Sequence, residues 1–307
     1  MNAKLKELDL GIREQVDALV LDVMERETKT GKPYVVLKVT DGDTTAEVKK
    51  WDARLDDFLP VKNTAVVLNV KASLYGNETT YDTDSCVRSK RPPEDFIRKA
   101  PIDLDGTLDA IGSRLDAIAD PDLKALMTAI FRDKKSQLRM WSAAKTVHHA
   151  IYGGLLYHSY RMMQAADALC QFYPAVDKDL VASGALLHDI GKLEELDTNT
   201  FGAADYTTKG SLLGHAYLGT DLVSFYARTL KTPADLLMKL QHMILSHHGT
   251  YGATVLPQTP EAELLHHLDM IDSRMYQVEE ALANTEPGTF SDKIFGLGVR
   301  VYHDNGK

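Results

Sequence analysis

The chain has 307 residues, 44% hydrophobic and 26% charged, which excludes a disordered polymer and leaves enough apolar material for two separate cores. A formal net charge of −9 excludes a broad basic footprint for duplex nucleic acid, although a narrow channel for a single strand stays compatible with it. Two cysteines without CxxC spacing exclude a disulfide framework and a zinc knuckle, while the lack of a long apolar run and the polar stretch Met1 to Arg13 point to a cytoplasmic protein with no membrane partner.

In chain order, Gln15 to Arg88 reads as short strands between turns. Val16 to Val23 partly alternates, Tyr34 to Val39 is rich in β-formers, and Thr45 to Trp51 alternates again. Thr30-Gly31-Lys32-Pro33 and Asp41-Gly42-Asp43 mark the turns. A short helical piece is predicted over Asp52 to Phe58, ending at Pro60. Strands follow over Thr64 to Leu74 and Thr79 to Val87, split by Tyr75-Gly76-Asn77. Five strands with a small helix between the third and fourth is the order of an OB-fold barrel. Tyr34, Trp51, Tyr75 and Tyr81, interleaved with lysines such as Lys49, suit stacking of single-stranded bases along a cationic groove. The plainer reading is that about half of these aromatics fill the barrel instead.

Ser89-Lys90-Arg91-Pro92-Pro93 is a proline-stiffened linker, so the chain divides into an all-β domain over 1–91 and a domain over 92–307. Everything after Glu94 reads helical. Helices are expected over Leu104 to Ala119, Pro121 to Lys134, Val147 to Leu169, Lys178 to His188, Ser211 to Leu230, Pro233 to Ser246 and Pro260 to Ala283, with three prolines near helix starts. The acidic excess lies here: residues 1–91 hold 15 basic and 16 acidic residues, the remainder 20 and 28. Bound cations would offset part of it.

Leu186-Leu187-His188-Asp189-Ile190-Gly191-Lys192 places an imidazole and a carboxylate together at the end of an apolar helix. Neighbouring helical positions point about 100° apart, so the pair converges only on a ligand near the helix end. Lys192 offers a cation where a phosphate could arrive. His158 shares a helical face with Leu155, Met162 and Leu169, and Asp269 shares one with Ala262, Leu265, Asp272 and Tyr276. A carboxylate aimed at an apolar core is costly unless paired or metal-bound, so His158 and Asp269 with His188-Asp189 favour a shared cation. His215 at a helix start and His247-His248 at a helix end, with a bridging carboxylate, would satisfy a second. Histidine and carboxylate donors without cysteine suit Mn²⁺, Fe²⁺, Co²⁺ or Zn²⁺, with Mg²⁺ also admissible, rather than a structural zinc. Two such ions would serve phosphodiester hydrolysis.

The order His158, His188-Asp189, His215, His247-His248, Asp269 resembles the HD phosphohydrolase superfamily. The blocks His148 to His158, Leu186 to Leu196, Ser246 to Gly249 and Leu265 to Asp272, with the tail Phe290 to Tyr302, resemble more closely the YhaM-type 3′-5′ exoribonucleases, which join an N-terminal OB-fold domain to a C-terminal all-α HD domain. The resemblance implies one metal on His158, His188, Asp189 and Asp269 and a second on Asp189, His215, His247 and His248, with Mn²⁺ favoured. His188, Asp189 and Lys192 are the expected catalytic group, His149 and Lys192 the expected phosphate contacts, and Tyr34, Trp51 and Lys49 the expected contacts to the strand. The expected activity is removal of nucleotides from the 3′ end of single-stranded RNA, with single-stranded DNA as a further candidate substrate. Two alternatives stand beside it: a phosphohydrolase of nucleotides or cyclic dinucleotides with the barrel as a regulatory module, and a single-strand-binding protein with a silent HD domain. His266 and His267 are expected at the helix surface, and Asp272 as a carboxylate that orients a ligand histidine.

Overall fold

A computed structural model describes residues 2–58, 61–76, 78–144, 151–199 and 204–306. It divides into two compact units, Met1–Arg98 and Lys99–Lys307.

The first unit is a closed barrel of β1 (Arg13–Glu27), β2 (Pro33–Thr40), β3 (Thr45–Trp51), β4 (Ala65–Tyr75) and β5 (Glu78–Arg88), in the order β1-β2-β3-β5-β4. Strands β3 and β5 pair in parallel, and the other strand pairs of the barrel are antiparallel. The barrel closes because β1 is long enough to serve two neighbours. Arg13 to Leu19 pair with β4, Leu19 to Glu27 pair with β2, and the register slips between Val20 and Asp22 where the strand bends from one to the other. Inward positions Val16, Ala18, Val20, Leu37, Val39, Val48, Leu68 and Val70 form the core, so the alternation read from the sequence fixes which side chains face out. This strand order is that of an OB fold. The helical piece expected after Trp51 is a single 3-10 turn, Leu55–Asp57, and Pro60 lies outside the described residues. The unit runs on to Arg98 because the segment after the prolines packs back: Phe96 is buried, with its Cα 3.6 Å from where a Cβ on Gly42 would lie.

The second unit holds α1 (Leu104–Asp116), α2 (Pro121–Leu138), α3 (Gly154–Leu169), α4 (Lys178–Leu187), the short α5 (Lys192–Glu195), α6 (Thr208–Leu230), α7 (Ala234–Ser246) and α8 (Pro260–Ala283). Asp103, Asp120, Asp177, Thr207 and Thr259 cap the free amides at the starts of α1, α2, α4, α6 and α8. Every residue of α4 from Asp179 to Leu187 is buried, so this helix is the centre of the core. Three details refine the sequence expectation. Helix α3 starts at Gly154, after Gly153 in the left-handed region (φ 73°), and Val147 to Ala150 lie outside the described residues. A two-stranded ribbon, β6 (Leu196–Thr198) with β7 (Ala204–Tyr206), joins the helices. Helix α6 is broken at Gly214 (φ 71°, ψ 155°), so a fresh helical segment begins at His215. The tail pairs Phe290 with Tyr302. Among the described residues no helix is long and apolar enough to cross a membrane.

Candidate metal centre

Five helices deliver the polar groups to one place. His158 comes from α3, His188 and Asp189 from the end of α4, His215 from the restart of α6, His247 and His248 from the end of α7, and Asp269 from α8. His158, His188, Asp189 and His247 are each no more than 3% exposed.

The imidazoles are oriented by what their outer nitrogens touch. His188 Nδ1 lies 3.0 Å from the Ala185 carbonyl and His247 Nδ1 lies 2.7 Å from the Ile244 carbonyl. A carbonyl only accepts, so each Nδ1 carries the proton and each Nε2 presents a lone pair to the centre. Both bonds also satisfy carbonyls of a final helical turn, which lack amide partners by position. His158 Nδ1 donates to Asp272 Oδ2 at 2.7 Å, and Arg161 Nε holds the other oxygen of Asp272 at 2.6 Å. His215 Nδ1 faces Glu195 Oε1 at 3.1 Å, and the same oxygen accepts the His215 amide at 3.0 Å. Four Nε2 atoms are thereby turned inwards.

Asp189 sits between two groups of them. Its Oδ2 lies 3.3 Å from His188 Nε2 and 3.8 Å from His158 Nε2, while its Oδ1 lies 3.4 Å from His215 Nε2 and 3.9 Å from His247 Nε2. Asp269 Oδ1 is 3.3 Å from His158 Nε2, which is itself 3.1 Å from His188 Nε2. Lys192 Nζ donates to Asp189 Oδ2 at 2.7 Å.

Charges follow this packing. Burial opposes ionisation of Asp189, but Lys192 and His188 outweigh it and hold the carboxyl well below the usual range. Asp269 is likewise lowered against burial, chiefly by His158. Burial would strip His158 of its proton, yet Asp269 and Asp272 push it up to about 9. His247 is driven well below the ordinary histidine value by burial and by His188 and His248, and His248 is lowered by burial and by His215. The centre thus pairs two ionised carboxylates with His247 and His248 held neutral, while His158 keeps its proton against the carboxylates beside it.

These residues fit a divalent cation. Asp189 Oδ1, His215 Nε2 and His247 Nε2 are buried without a hydrogen-bond partner, a burial that costs about 1–3 kcal/mol for each orphaned group. All three orphans surround one point. One ligand atom each from His215, His247 and His248, and one each from His158, His188 and Asp189, lie within 4.8 Å of one another in their groups. Nitrogen and oxygen donors without sulfur are the set a first-row divalent ion takes.

Close backbone approach makes the geometry possible. A Cβ on Gly191 would lie 2.0 Å from the His215 carbonyl oxygen and 2.5 Å from the Gly219 amide nitrogen, and one on Gly210 would lie 2.2 Å from the Glu195 carbonyl oxygen. The glycine after His188-Asp189 is what lets α6 carry His215 up to them.

Residues 155–274 match the HD domain family. Over 308 residues the chain is 30% identical to the 3′-5′ exoribonuclease YhaM of Bacillus subtilis (strain 168), with 95% of each chain covered. The chain belongs to the YhaM family of 3′-5′ exoribonucleases. It is an HD-type phosphodiesterase whose helical unit carries the matched domain. Among solved structures it is similar to the second OB-fold domain of replication protein A from Methanococcus maripaludis (19% identity, 30% of this chain and 97% of that one, TM-score 0.25). It is also similar to the OB domain of Ta0387 from Thermoplasma acidophilum (12% identity, 33% and 92%, TM-score 0.23). The barrel's own strand order is what assigns its fold.

The barrel of this YhaM-family chain carries an aromatic and cationic surface of its own. Tyr34 and Trp51 are cross-strand partners with ring centroids 4.8 Å apart, and Lys49 Nζ lies 5.8 Å from the Trp51 ring. Trp51 is 42% exposed, and all three project outwards from β2 and β3. Tyr81 packs against the barrel core instead, and Tyr75 stands exposed at the β4–β5 turn. His149 lies outside the described residues. The sequence reading missed Glu195, which fixes His215, and Trp141, whose Nε1 donates to the Lys192 carbonyl at 2.8 Å. It also misplaced His266. His267 is exposed beside Glu263 as expected, but His266 is half-buried and donates from Nδ1 to the His247 carbonyl at 2.6 Å.

Proposed function

We propose that this chain shortens single-stranded RNA from its 3′ end, in the cytoplasm, with two divalent ions of which Mn²⁺ is favoured. His158, His188, Asp189 and Asp269 would hold one ion; Asp189, His215, His247 and His248 would hold the other. The observation that carries the reading is Asp189, whose two oxygens face different histidine groups. Bound there, the ions would supply the Lewis-acid charge that stabilises a pentavalent phosphate and acidifies an attacking water.

The remaining work belongs to the protein's own groups. Asp272, Glu195 and the Ala185 and Ile244 carbonyls fix four imidazoles before any substrate arrives, so no reorientation is needed at the moment of reaction. Lys192, kept protonated by Asp189 against its burial, offers positive charge to a phosphate. On the barrel, the Tyr34–Trp51 pair and Lys49 offer a stacking platform and a cation for a strand of any sequence.

The test is a time course with Mn²⁺ on single-stranded RNA labelled at its 5′ end, with the same sequence as DNA, a chelator lane and Asp189→Ala. A metal-dependent ladder receding from the 3′ end, absent in the variant, is expected. RNA that stays intact with every divalent ion would refute the reading and turn attention to nucleotides and cyclic dinucleotides.

A further inference from the structure

We infer that His266 is a positioning residue of the metal centre, holding the turn that brings His247 and His248 beside His215. Its metal-binding consequence rests on the two-ion reading above. Helix α7 ends at Ser246, so the His247 carbonyl lies beyond the last turn and has no intrahelical amide to receive. His266 Nδ1–H supplies that bond at 2.6 Å from α8. The bond to a carbonyl also fixes the tautomer of His266 with its proton on Nδ1.

A second observation places the ring itself in the turn. Gly249 follows the two histidines with φ 53°, and a Cβ built on it would lie 2.5 Å from both Cε1 and Nε2 of His266 and 2.9 Å from Cδ2. Within ordinary contact limits, no residue with a side chain fits at position 249 while the His266 ring is in place. The ring therefore packs on the glycine as its nitrogen grips the preceding carbonyl, and the chain from His247 to Gly249 has one path. That path sets the imidazoles of His247 and His248 at a centroid separation of 4.0 Å, with His248 5.1 Å from His215. His266 stands one helical turn before Asp269 on α8, so a single helix contributes to both proposed ion sites: a carboxylate directly to one, and the shape of a turn to the other. Its neighbour His267, paired with Glu263 at the surface, makes neither contact.

The experiment uses the full chain in five variants: His266→Ala, His266→Asn, Gly249→Ala, the His266→Ala/Gly249→Ala double variant and His267→Ala. Mn²⁺ binding is titrated by calorimetry, and amide hydrogen exchange over 247–253 is followed in the metal-free protein. His266→Ala is expected to weaken one of two ions by about 10- to 100-fold and to speed exchange over the turn. His266→Asn should restore both, because its amide N–H stands where Nδ1–H stood. Gly249→Ala should resemble His266→Ala, and should do less harm in the His266→Ala background, where the ring it collides with is gone. His267→Ala should match the unmodified chain. Unchanged Mn²⁺ affinity and exchange in His266→Ala would overturn the inference, and so would an Asn variant as damaged as the Ala variant. A parent chain that binds fewer than two ions would count against the two-ion reading, and the exchange data would then decide the role of His266.

Discussion

Replacing Gly191 by alanine adds one methyl group where two helices touch through their backbones. The new Cβ would lie 2.0 Å from the His215 carbonyl oxygen, whereas ordinary contact begins near 3.4 Å, so the chain must open by about 1.4 Å. Neither listener to that push can rotate away, since the colliding atoms are the carbonyl of His215 and the amide of Gly219. Overpacking of this kind costs about 1–3 kcal/mol, and for a unit of this size melting falls by roughly 2–4 °C per kcal/mol. The larger effect lies in the site. Asp189 Oδ1 and His215 Nε2, now 3.4 Å apart, sit on opposite sides of the seam, and a displacement of about 1 Å costs on the order of 100-fold in rate. The assay is thermal melting together with RNA hydrolysis, with Gly112→Ala as the internal control. Gly112 lies within α1 with nothing within 4 Å of its would-be Cβ, so the same substitution there should stabilise by about 0.4–1 kcal/mol and leave hydrolysis alone. A Gly191→Ala chain that melts and hydrolyses like the parent would refute the reasoning.

Asp189→Ala should abolish hydrolysis while the helical unit stays folded; a variant keeping even a tenth of the parent rate would be incompatible with a bridging carboxylate. Asp272→Asn should lower Mn²⁺ affinity by about 10- to 100-fold, since the amide no longer gives His158 Nδ1–H a charged acceptor; calorimetric titration checks it. Trp51→Ala should weaken binding of a long single strand by about 1–3 kcal/mol, measured by fluorescence anisotropy with labelled RNA, and leave turnover of a very short one nearly unchanged. Mn²⁺ at 100 times its dissociation constant should stabilise the fold by about 2.7 kcal/mol for each ion bound, read as a rise in melting temperature that a chelator reverses. Equal melting with and without the ion would argue against a site preformed in the native state.

Much of this organisation was written in local patterns. Alternation along Val16 to Val23 and the β-formers of Tyr34 to Val39 marked barrel strands, and the apolar faces carrying His158 and Asp269 marked the helices that deliver them. What stayed hidden depends on distant pieces of chain meeting. Glu195 reaches His215 across 20 positions, and no spacing rule relates the two. His266 sits one step off the buried stripe of α8, so periodicity placed it at the surface, and its acceptor is a backbone carbonyl that leaves no mark in the sequence. The ribbon strands Leu196–Thr198 and Ala204–Tyr206 have three residues each, too few to display a period. The Tyr34–Trp51 pairing needs a strand register, which only the assembled sheet sets.

The two tryptophans of the chain fall one to each unit, and their settings differ in a way a spectrometer can separate. Trp51 stands in solvent beside a lysine and a tyrosine, so its emission should be red-shifted and open to collisional quenchers. Trp141 is half-buried with its indole N–H tied to the backbone of Lys192, three residues from Asp189, so its emission should be bluer and shielded. With Trp51→Phe the remaining signal reports events at the hydrolytic centre; with Trp141→Phe it reports the barrel face. The molecule thus carries one optical channel in the barrel and another beside the candidate metal centre, without any added dye.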